Sequence, residues 1–500
     1  MQRTAAASQV AVLVTGFDPD PAYRGLADAL RVVITDGRVP VGVRLPSERQ
    51  LTEALGVSRT TVTRAYAELR DHGFLVSRQG SGWMTTLPEA RGRRGDHLLP
   101  IGDQPHGKID LTMAAHAADP GILAAYRWAV EQLPGYLAGA GYHPAGLPEL
   151  REAVASSFAE RGLPTDPDQI VITPGALAAV SIAARALVRP GTRVLLESPT
   201  YPNAIATFER AGARVSGVDA GQADPGQHHS GQTSSAQECS GLTWAGDVSA
   251  AVEQLRPATA YLVPDFHNPT GALRSDQARQ QVADMLGRAG TTAVIDETFV
   301  LLNLDDIAMP APFACHHADT LTVGSLSKSF WGGLRVGWLR VPAPRMDAIV
   351  RARLSLDLGS PVLEQLAGTR LLENRPLPGE QLRHRLRAAR DTALAALSRH
   401  LPDWTVRRPP GGLSLWCELP EARSSALVAK AEAHGVLLAA GPEFAPEGGL
   451  DRFVRIPYAQ PEDVLTDAIA RLASAWRDTL SYPATPRRAG TLRGSTALVS

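Results

Sequence analysis

Lysine is almost missing from this chain of 500 residues: of its 50 basic residues only Lys108, Lys328 and Lys430 are lysines. Cysteine is as scarce. Cys239, Cys315 and Cys417 stand far apart with no CxxC pair, which argues against a disulfide framework and a zinc knuckle, and no metal site is expected. No apolar run reaches the length of a membrane span, and the first 16 residues lack the basic start and long apolar core of a secretion signal. A net charge of −1 with 20% charged residues fits neither a disordered chain nor a basic coat protein. These absences predict a reduced, cytoplasmic protein with no membrane partner. The length allows two cores or more.

The balanced charge conceals an asymmetry. Residues 1–95 hold 13 Arg, no Lys and 9 Asp+Glu, a net of +4, which leaves −5 for the rest. A modestly basic module on a slightly acidic body suits phosphate contact at one end only. Within that module Leu26, Leu30, Val33 and Ile34 predict a helix over 23–37, stopped by Gly37. A turn follows through Pro40 and Gly42. Ser47 caps a second helix, with Gln50 completing a capping box, and Gly56 breaks it. Ser58 caps a third helix with an apolar stripe of Val62, Tyr66 and Leu69. Residues 74–76 and 83–85 can then pair as a hairpin.

That order is a winged helix-turn-helix, whose third helix enters the major groove of DNA. Its first residues are Arg59, Thr60 and Thr61, with Thr63 and Arg64 one turn later. Arginine reads guanine bidentately, and threonine suits phosphate or base contacts. Gly80 and Gly82 would let the wing tip approach the backbone closely, with Arg78 beside them. A winged helix used for protein contact would carry the same elements.

Residues 88–107 are rich in Gly, Arg and Pro and are expected to be a linker. From Lys108 onward helices alternate with short apolar strands at 171–173, 193–197, 259–264, 292–296 and 320–324, the pattern of a mostly parallel sheet. Residues 221–247 are polar and predicted to be a loop insertion, and 476–500 a disordered tail.

Lys328 follows the last of these strands, in Ser325-Leu326-Ser327-Lys328-Ser329, with Arg335 beyond. A strand-end lysine can form an imine with an aldehyde cofactor whose phosphate the hydroxyls and arginine bind. A surface lysine among serines is the plainer alternative, and the rarity of lysine here weakens it. Asp296 ends a strand and can pair with a protonated pyridine nitrogen, or serve as a helix cap. Asn268, in His267-Asn268-Pro269-Thr270-Gly271, offers an amide to a ring oxygen, and Tyr201 lies in a rigid turn where it can stack on the ring. Thr173-Pro174-Gly175-Ala176-Leu177 opens a helix whose free N–H groups can cradle a phosphate.

Residues 23–86 resemble the GntR family of winged helix regulators, through Arg44-Leu45-Pro46-Ser47-Glu48-Arg49, Leu55-Gly56-Val57-Ser58-Arg59-Thr60-Thr61-Val62, Gly73-Phe74-Leu75 and Gln79-Gly80-Ser81-Gly82. The resemblance implies DNA contacts by Arg49, Ser58, Arg59, Thr60, Thr61 and Gly80. Where some members carry a further arginine this chain has Thr63, with Arg64 displaced by one.

Residues 108–475 resemble the fold-type I aminotransferases, which implies pyridoxal 5'-phosphate (PLP). By that resemblance Lys328 is the Schiff-base lysine and a catalytic residue with Asp296, the pyridinium partner. Asn268 is the 3-oxygen ligand and Tyr201 the stacking aromatic. Gly175, Ala176, Ser325, Ser327 and Arg335 fall at phosphate-binding positions. Tyr142 matches a tyrosine that reaches the neighbouring subunit's phosphate. Arg455 matches the arginine that grips a substrate carboxylate, with Arg452 on the opposite strand face as its competitor. The chain departs from the pattern at Phe299, where the family usually has a tyrosine that donates to the 3-oxygen.

In this order the two halves resemble the MocR/GabR family of regulators. The fold class expected is α/β: a winged helix-turn-helix over 18–87, then a PLP-dependent transferase of fold type I, its mostly parallel sheet flanked by helices and joined to a smaller C-terminal α+β subdomain. The resemblance implies a PLP-bound homodimer that recognises double-stranded DNA with paired half-sites and senses an amine, an amino acid or PLP as small-molecule effector. The rival is a working aminotransferase that carries a DNA-binding arm. Phe299, which cannot donate, favours sensing over turnover.

Overall fold

A computed structural model describes residues 5–35, 39, 43–78, 82–86, 108–118, 121–220, 233–373 and 380–481. The stop at Gly37, the turn through Pro40 and Gly42, the wing-tip Gly80, the linker 88–107 and the tail beyond Ser481 lie outside these residues.

The N-terminal unit holds helices α1 (Ala7–Val14), α2 (Ala22–Thr35), α3 (Glu48–Leu55) and α4 (Arg59–Asp71), then strands β1 (Leu75–Arg78) and β2 (Gly82–Thr85). Ser47 and Gln50 form the capping box of α3, and Gly56 ends that helix in the left-handed region at φ 66°. The Ser58 hydroxyl accepts from Thr61 N at 3.1 Å and caps α4. Helix α1 was not expected. Its Val10 and Val14 join the core of Leu26, Leu30, Val62 and Tyr66, so the packed unit begins before residue 18. The hairpin starts one residue later than its apolar pattern suggests, because Phe74 turns into that core and Leu75 pairs with Thr85. Backbone bonds from Leu45 to Trp83 and from Thr85 to Val43, each 2.9 Å, fasten the wing to the helices.

The larger body contains β3 (Ile109–Leu111), β4 (Ile170–Thr173), β5 (Arg193–Ser198), β6 (Arg214–Asp219), β7 (Thr259–Leu262), β8 (Thr292–Asp296), β9 (Thr320–Ser325), β10 (Gly337–Arg340), β11 (Thr405–Val406), β12 (Ser414–Glu418), β13 (Val436–Ala440) and β14 (Phe453–Pro457). Seven strands form one sheet in the order β4-β10-β9-β8-β7-β5-β6, and only β10 runs against its neighbours. The central strands are buried on both faces, hence their unbroken apolar runs. Strands β4, β5, β7, β8 and β9 end on the same edge, where the loops of an open α/β sheet gather a ligand. A second sheet, β11-β12-β14-β13-β3, makes the smaller α+β part. Strand β3 closes it, parallel to β13, and Lys108 pairs with Glu432 at 2.9 Å beside it.

Two expectations are corrected. Residues 233–247, taken as loop, belong to the helix Thr233–Leu255. Its second half places Trp244, Ala245, Val248 and Val252 at helical spacing in a buried cluster, and the polar composition of 221–247 concealed that stripe. Residues 476–480 are not tail. They finish the helix Glu462–Leu480, where Trp476 and Thr479 extend the buried face of Leu465, Ile469 and Leu472.

Candidate functional site

Three turns converge where β4 and β9 end and β10 begins. Gly337 pairs with Thr173 on one side and Ser325 on the other. A Cβ on Gly337 would stand 2.6 Å from the Gly175 carbonyl carbon and 2.8 Å from Ala176 N, so nothing larger than glycine fits. Gly175 has φ 94° and caps the helix Ala176–Leu187, whose first N–H groups have no helical partner. Arg335 donates to Pro174 O at 2.8 Å, and its guanidinium would meet a Cβ on Gly175 at 2.6 Å. Ser325 Oγ donates to Val336 O at 2.9 Å and accepts from Ser327 N at 3.1 Å. Ser327 Oγ is buried with no hydrogen-bond partner among the described residues. A glycine-lined helix start, a guanidinium and an unpartnered hydroxyl suit the phosphate of a cofactor.

Lys328 follows within three residues of β9. Its Nζ donates to Ala114 O at 2.8 Å, and its own carbonyl lies 2.7 Å from His116 Nε2. Burial lowers its pKa to about 8, helped by the positive Arg455 and Arg335 and opposed by Asp296. Arg455, on β14, reaches Thr112 O and, at 3.3 Å, Asn268 Oδ1, while its Nε is buried without a partner among the described residues. Burial brings its guanidinium down to about 10, against the pull of Glu443, Tyr201 and Asp110. Arg452 turns the other way, to the carbonyls of Leu419 and Pro420.

Asp296 ends β8 and is nearly inaccessible to solvent. Its Oδ1 accepts from Thr298 N at 2.8 Å and from the Thr298 hydroxyl, and its Oδ2 accepts from Tyr261 Oη at 2.7 Å. Tyr201 starts the helix Pro202–Arg210, accepts from Asn203 Nδ2 at 2.9 Å, and has its phenol pKa raised by burial. Phe299 is buried among Phe266, Leu302 and Leu304. Tyr142 stands apart, two-thirds exposed. Lys328, Asp296, Asn268, Tyr201, Arg335, Arg455 and the Gly175–Ala176 turn are therefore brought to one edge of the sheet, while Tyr142 is left on the surface.

Sequence reasoning missed the groups behind these residues. Glu197, wholly buried, accepts from Trp244 Nε1 at 2.8 Å and Val263 N at 2.7 Å, with Arg274 at 3.7 Å and His267 at 3.5 Å. Burial raises its carboxyl to about 7, against these partners. It ties the Tyr201 turn, the Asn268 turn and the unexpected helix together. Tyr261, a phenol between the apolar Ala260 and Leu262, is a signal visible in the sequence.

In the N-terminal unit Arg49, Ser58, Arg59, Thr60 and Thr63 are all exposed. Ser58 Oγ lies 2.8 Å from both Thr60 Oγ1 and Thr61 Oγ1. Arg49 Nε meets Glu53 at 3.0 Å, and Thr63 donates to Glu48 at 2.7 Å. The Arg64 guanidinium lies 4.0 Å over the Tyr23 ring, against α2.

Residues 139–472 match the family aminotransferase class I and II, and residues 22–84 match bacterial regulatory proteins, gntR family. The HTH-type transcriptional regulator TauR of Rhodobacter capsulatus is 28% identical, over 94% of this chain and 100% of its own. The probable rhizopine catabolism regulatory protein MocR of Rhizobium meliloti is 27% identical, over 81% of this chain and 83% of its own. Among solved structures, LysN, the α-aminoadipate aminotransferase of Thermus thermophilus complexed with N-(5'-phosphopyridoxyl)-L-leucine, superposes with a TM-score of 0.64. It is 26% identical and covers 75% of this chain and 94% of its own. No helix among the described residues is long and apolar enough to cross a membrane.

Proposed function

Because the chain belongs to the aminotransferase class I and II family and carries a gntR-type reader ahead of that domain, we propose that it is a PLP-dependent regulator of transcription, acting in the cytoplasm. Relatives aligned along most of the chain are themselves named as regulators, which supports this reading over a free-standing enzyme. The observation that carries it is Lys328. One of three lysines, it is half-buried at the ligand edge of the sheet within the electrostatic reach of Asp296, Arg335 and Arg455.

Bound PLP supplies an aldehyde for a lysine amine and an electron-withdrawing ring. Ser327, Arg335 and the Gly175–Ala176 turn would hold its phosphate. Asp296 would serve the ring nitrogen, Asn268 the 3-oxygen and Tyr201 the ring face. The pKa of about 8 leaves part of Lys328 neutral, and so nucleophilic, near physiological pH. Arg455, with its unpartnered Nε, receives the carboxylate of an amino-acid effector. Phe299 withholds the hydroxyl that would support turnover, so the site senses an amine, an amino acid or PLP itself. Tyr142, exposed beside the equally exposed Leu137, extends to the phosphate of a second subunit in a homodimer. Two reader domains on one dimer then recognise paired half-sites, and the effector acts by favouring one of their arrangements.

The test is PLP titration of the full chain and of Lys328→Ala, followed by borohydride reduction and peptide mapping. Wild type should yield an adduct at Lys328 and the variant none. The rate of capture should climb as pH rises towards about 8 and then level, because the ammonium is protonated below that value. Absence of any adduct in wild type would overturn the sensing mechanism.

A further inference from the structure

The hydroxyl that Phe299 omits belongs to the 3-oxygen side of the ring; on the nitrogen side the chain carries a hydroxyl of its own. Tyr261 is wholly buried in the middle of β7, packed against Phe208 with ring centroids 5.8 Å apart. It pairs with Val294 across the β7–β8 ladder and so shares a face with Asp296, two residues on. From there its Oη donates to Asp296 Oδ2 at 2.7 Å. Thr298 occupies the other oxygen twice, through its N–H and its hydroxyl.

We infer that Tyr261 is the positioning residue of the Asp296 carboxylate, fixing its plane so that Oδ2 keeps one lone pair directed at the ring nitrogen of PLP. This rests on the PLP-binding reading above. The geometry favours Tyr261 over Thr298 for the role. The Thr298 bonds close a local turn on the carboxylate's own strand end, and one of them comes from the main chain. The Tyr261 bond comes from a neighbouring strand, and it alone reaches Oδ2 among the hydrogen bonds of the described residues. Three donors around two oxygens are what an acceptor-only carboxylate accommodates, and a ring N–H makes a fourth. Without Tyr261, Oδ2 is left to find its orientation from the Thr298 side alone, and a ring N–H meets a carboxylate free to twist.

The experiment uses full-length protein and Tyr261→Phe, which removes one oxygen and keeps the packing on Phe208. Equilibrium affinity is measured for PLP and for 1-deaza-PLP, in which carbon replaces the ring nitrogen. The variant should bind PLP about tenfold more weakly than wild type, the worth of one hydrogen bond to a charged group. It should bind the deaza analogue as wild type does. Equal losses for both ligands would make Tyr261 merely structural, and no loss for either would make it irrelevant; each overturns the inference. Failure of wild type itself to bind PLP would instead remove the reading on which the inference stands. A melting temperature for each protein separates loss of fold from loss of contact.

Discussion

The α3–α4 surface of the N-terminal unit and the pocket around Lys328 use the same two kinds of group, hydroxyls and guanidinium cations, under different conditions. On α3 and α4 they have local partners near the surface: Ser58 with Thr60 and Thr61, Arg49 with Glu53, Thr63 with Glu48. Such partners are surrendered at little cost, because water and salt already compete for them. In the pocket Arg455 is buried and tied to the Thr112 carbonyl, Arg335 is exposed and tied to the Pro174 carbonyl, and two buried polar atoms, Ser327 Oγ and Arg455 Nε, have no partner among the described residues. Burial without a partner costs free energy that a ligand recovers on binding. The reader is built to rearrange onto many phosphates and a few bases, and the pocket is built around one kind of guest.

Substitutions that touch one region and spare the other should separate these two designs. The largest effect is expected from Gly337→Ala. The added methyl meets the backbone of Gly175 and Ala176, which cannot give way, so PLP affinity should fall by a hundredfold or about that order. Operator binding by the reader, measured by anisotropy on a labelled duplex without PLP, should survive. Arg59→Ala comes next, at about ten- to a hundredfold in operator affinity, with relaxed base preference at one position and unchanged PLP uptake. The smallest is Arg49→Ala. Its ion pair with Glu53 is 85% and 64% exposed, so stability should move by no more than about 0.5 kcal/mol. The slope of log affinity against log salt should nevertheless shrink by about 1, as one phosphate contact is lost. Loss of operator binding with Gly337→Ala, or of PLP uptake with Arg59→Ala, would mean the regions are not independently built.

What was legible beforehand follows from what side chains can announce. Ser47 with Gln50, and Ser58 before Thr61, declare helix starts by chemistry alone, and both caps form. Lys328, Asp296 and Asn268 each follow a buried apolar strand, so their convergence could be anticipated from sheet topology. Strand β10 could not be seen so readily: it is four residues long, inserted antiparallel between β4 and β9, and its glycine is needed for close approach. The helix around Trp244 lacks apolar periodicity in its first half. The acceptors of Lys328 and Arg455, Ala114 and Thr112, act through their backbone oxygens, which no residue type reveals. The α1 packing rests on Val10 and Val14, with Ala11 buried and Leu13 packed beside them, all from a short segment.

Those two carbonyls carry a further consequence. Thr112 and Ala114 lie two residues apart on the segment leaving β3, and each already occupies one of the two cations that a ligand must approach. A guest that takes the terminal nitrogens of Arg455, and not only its Nε, therefore competes with a resident. A neutral amide or alcohol offers the guanidinium no more than the Thr112 carbonyl does and gains nothing by displacing it. A carboxylate forms a charge-assisted bond roughly twice as strong and wins the exchange. If Arg455 receives the guest, the backbone of this short segment would thus favour a carboxylate over a neutral group at its terminal nitrogens, before any side chain has measured the size or shape of the guest.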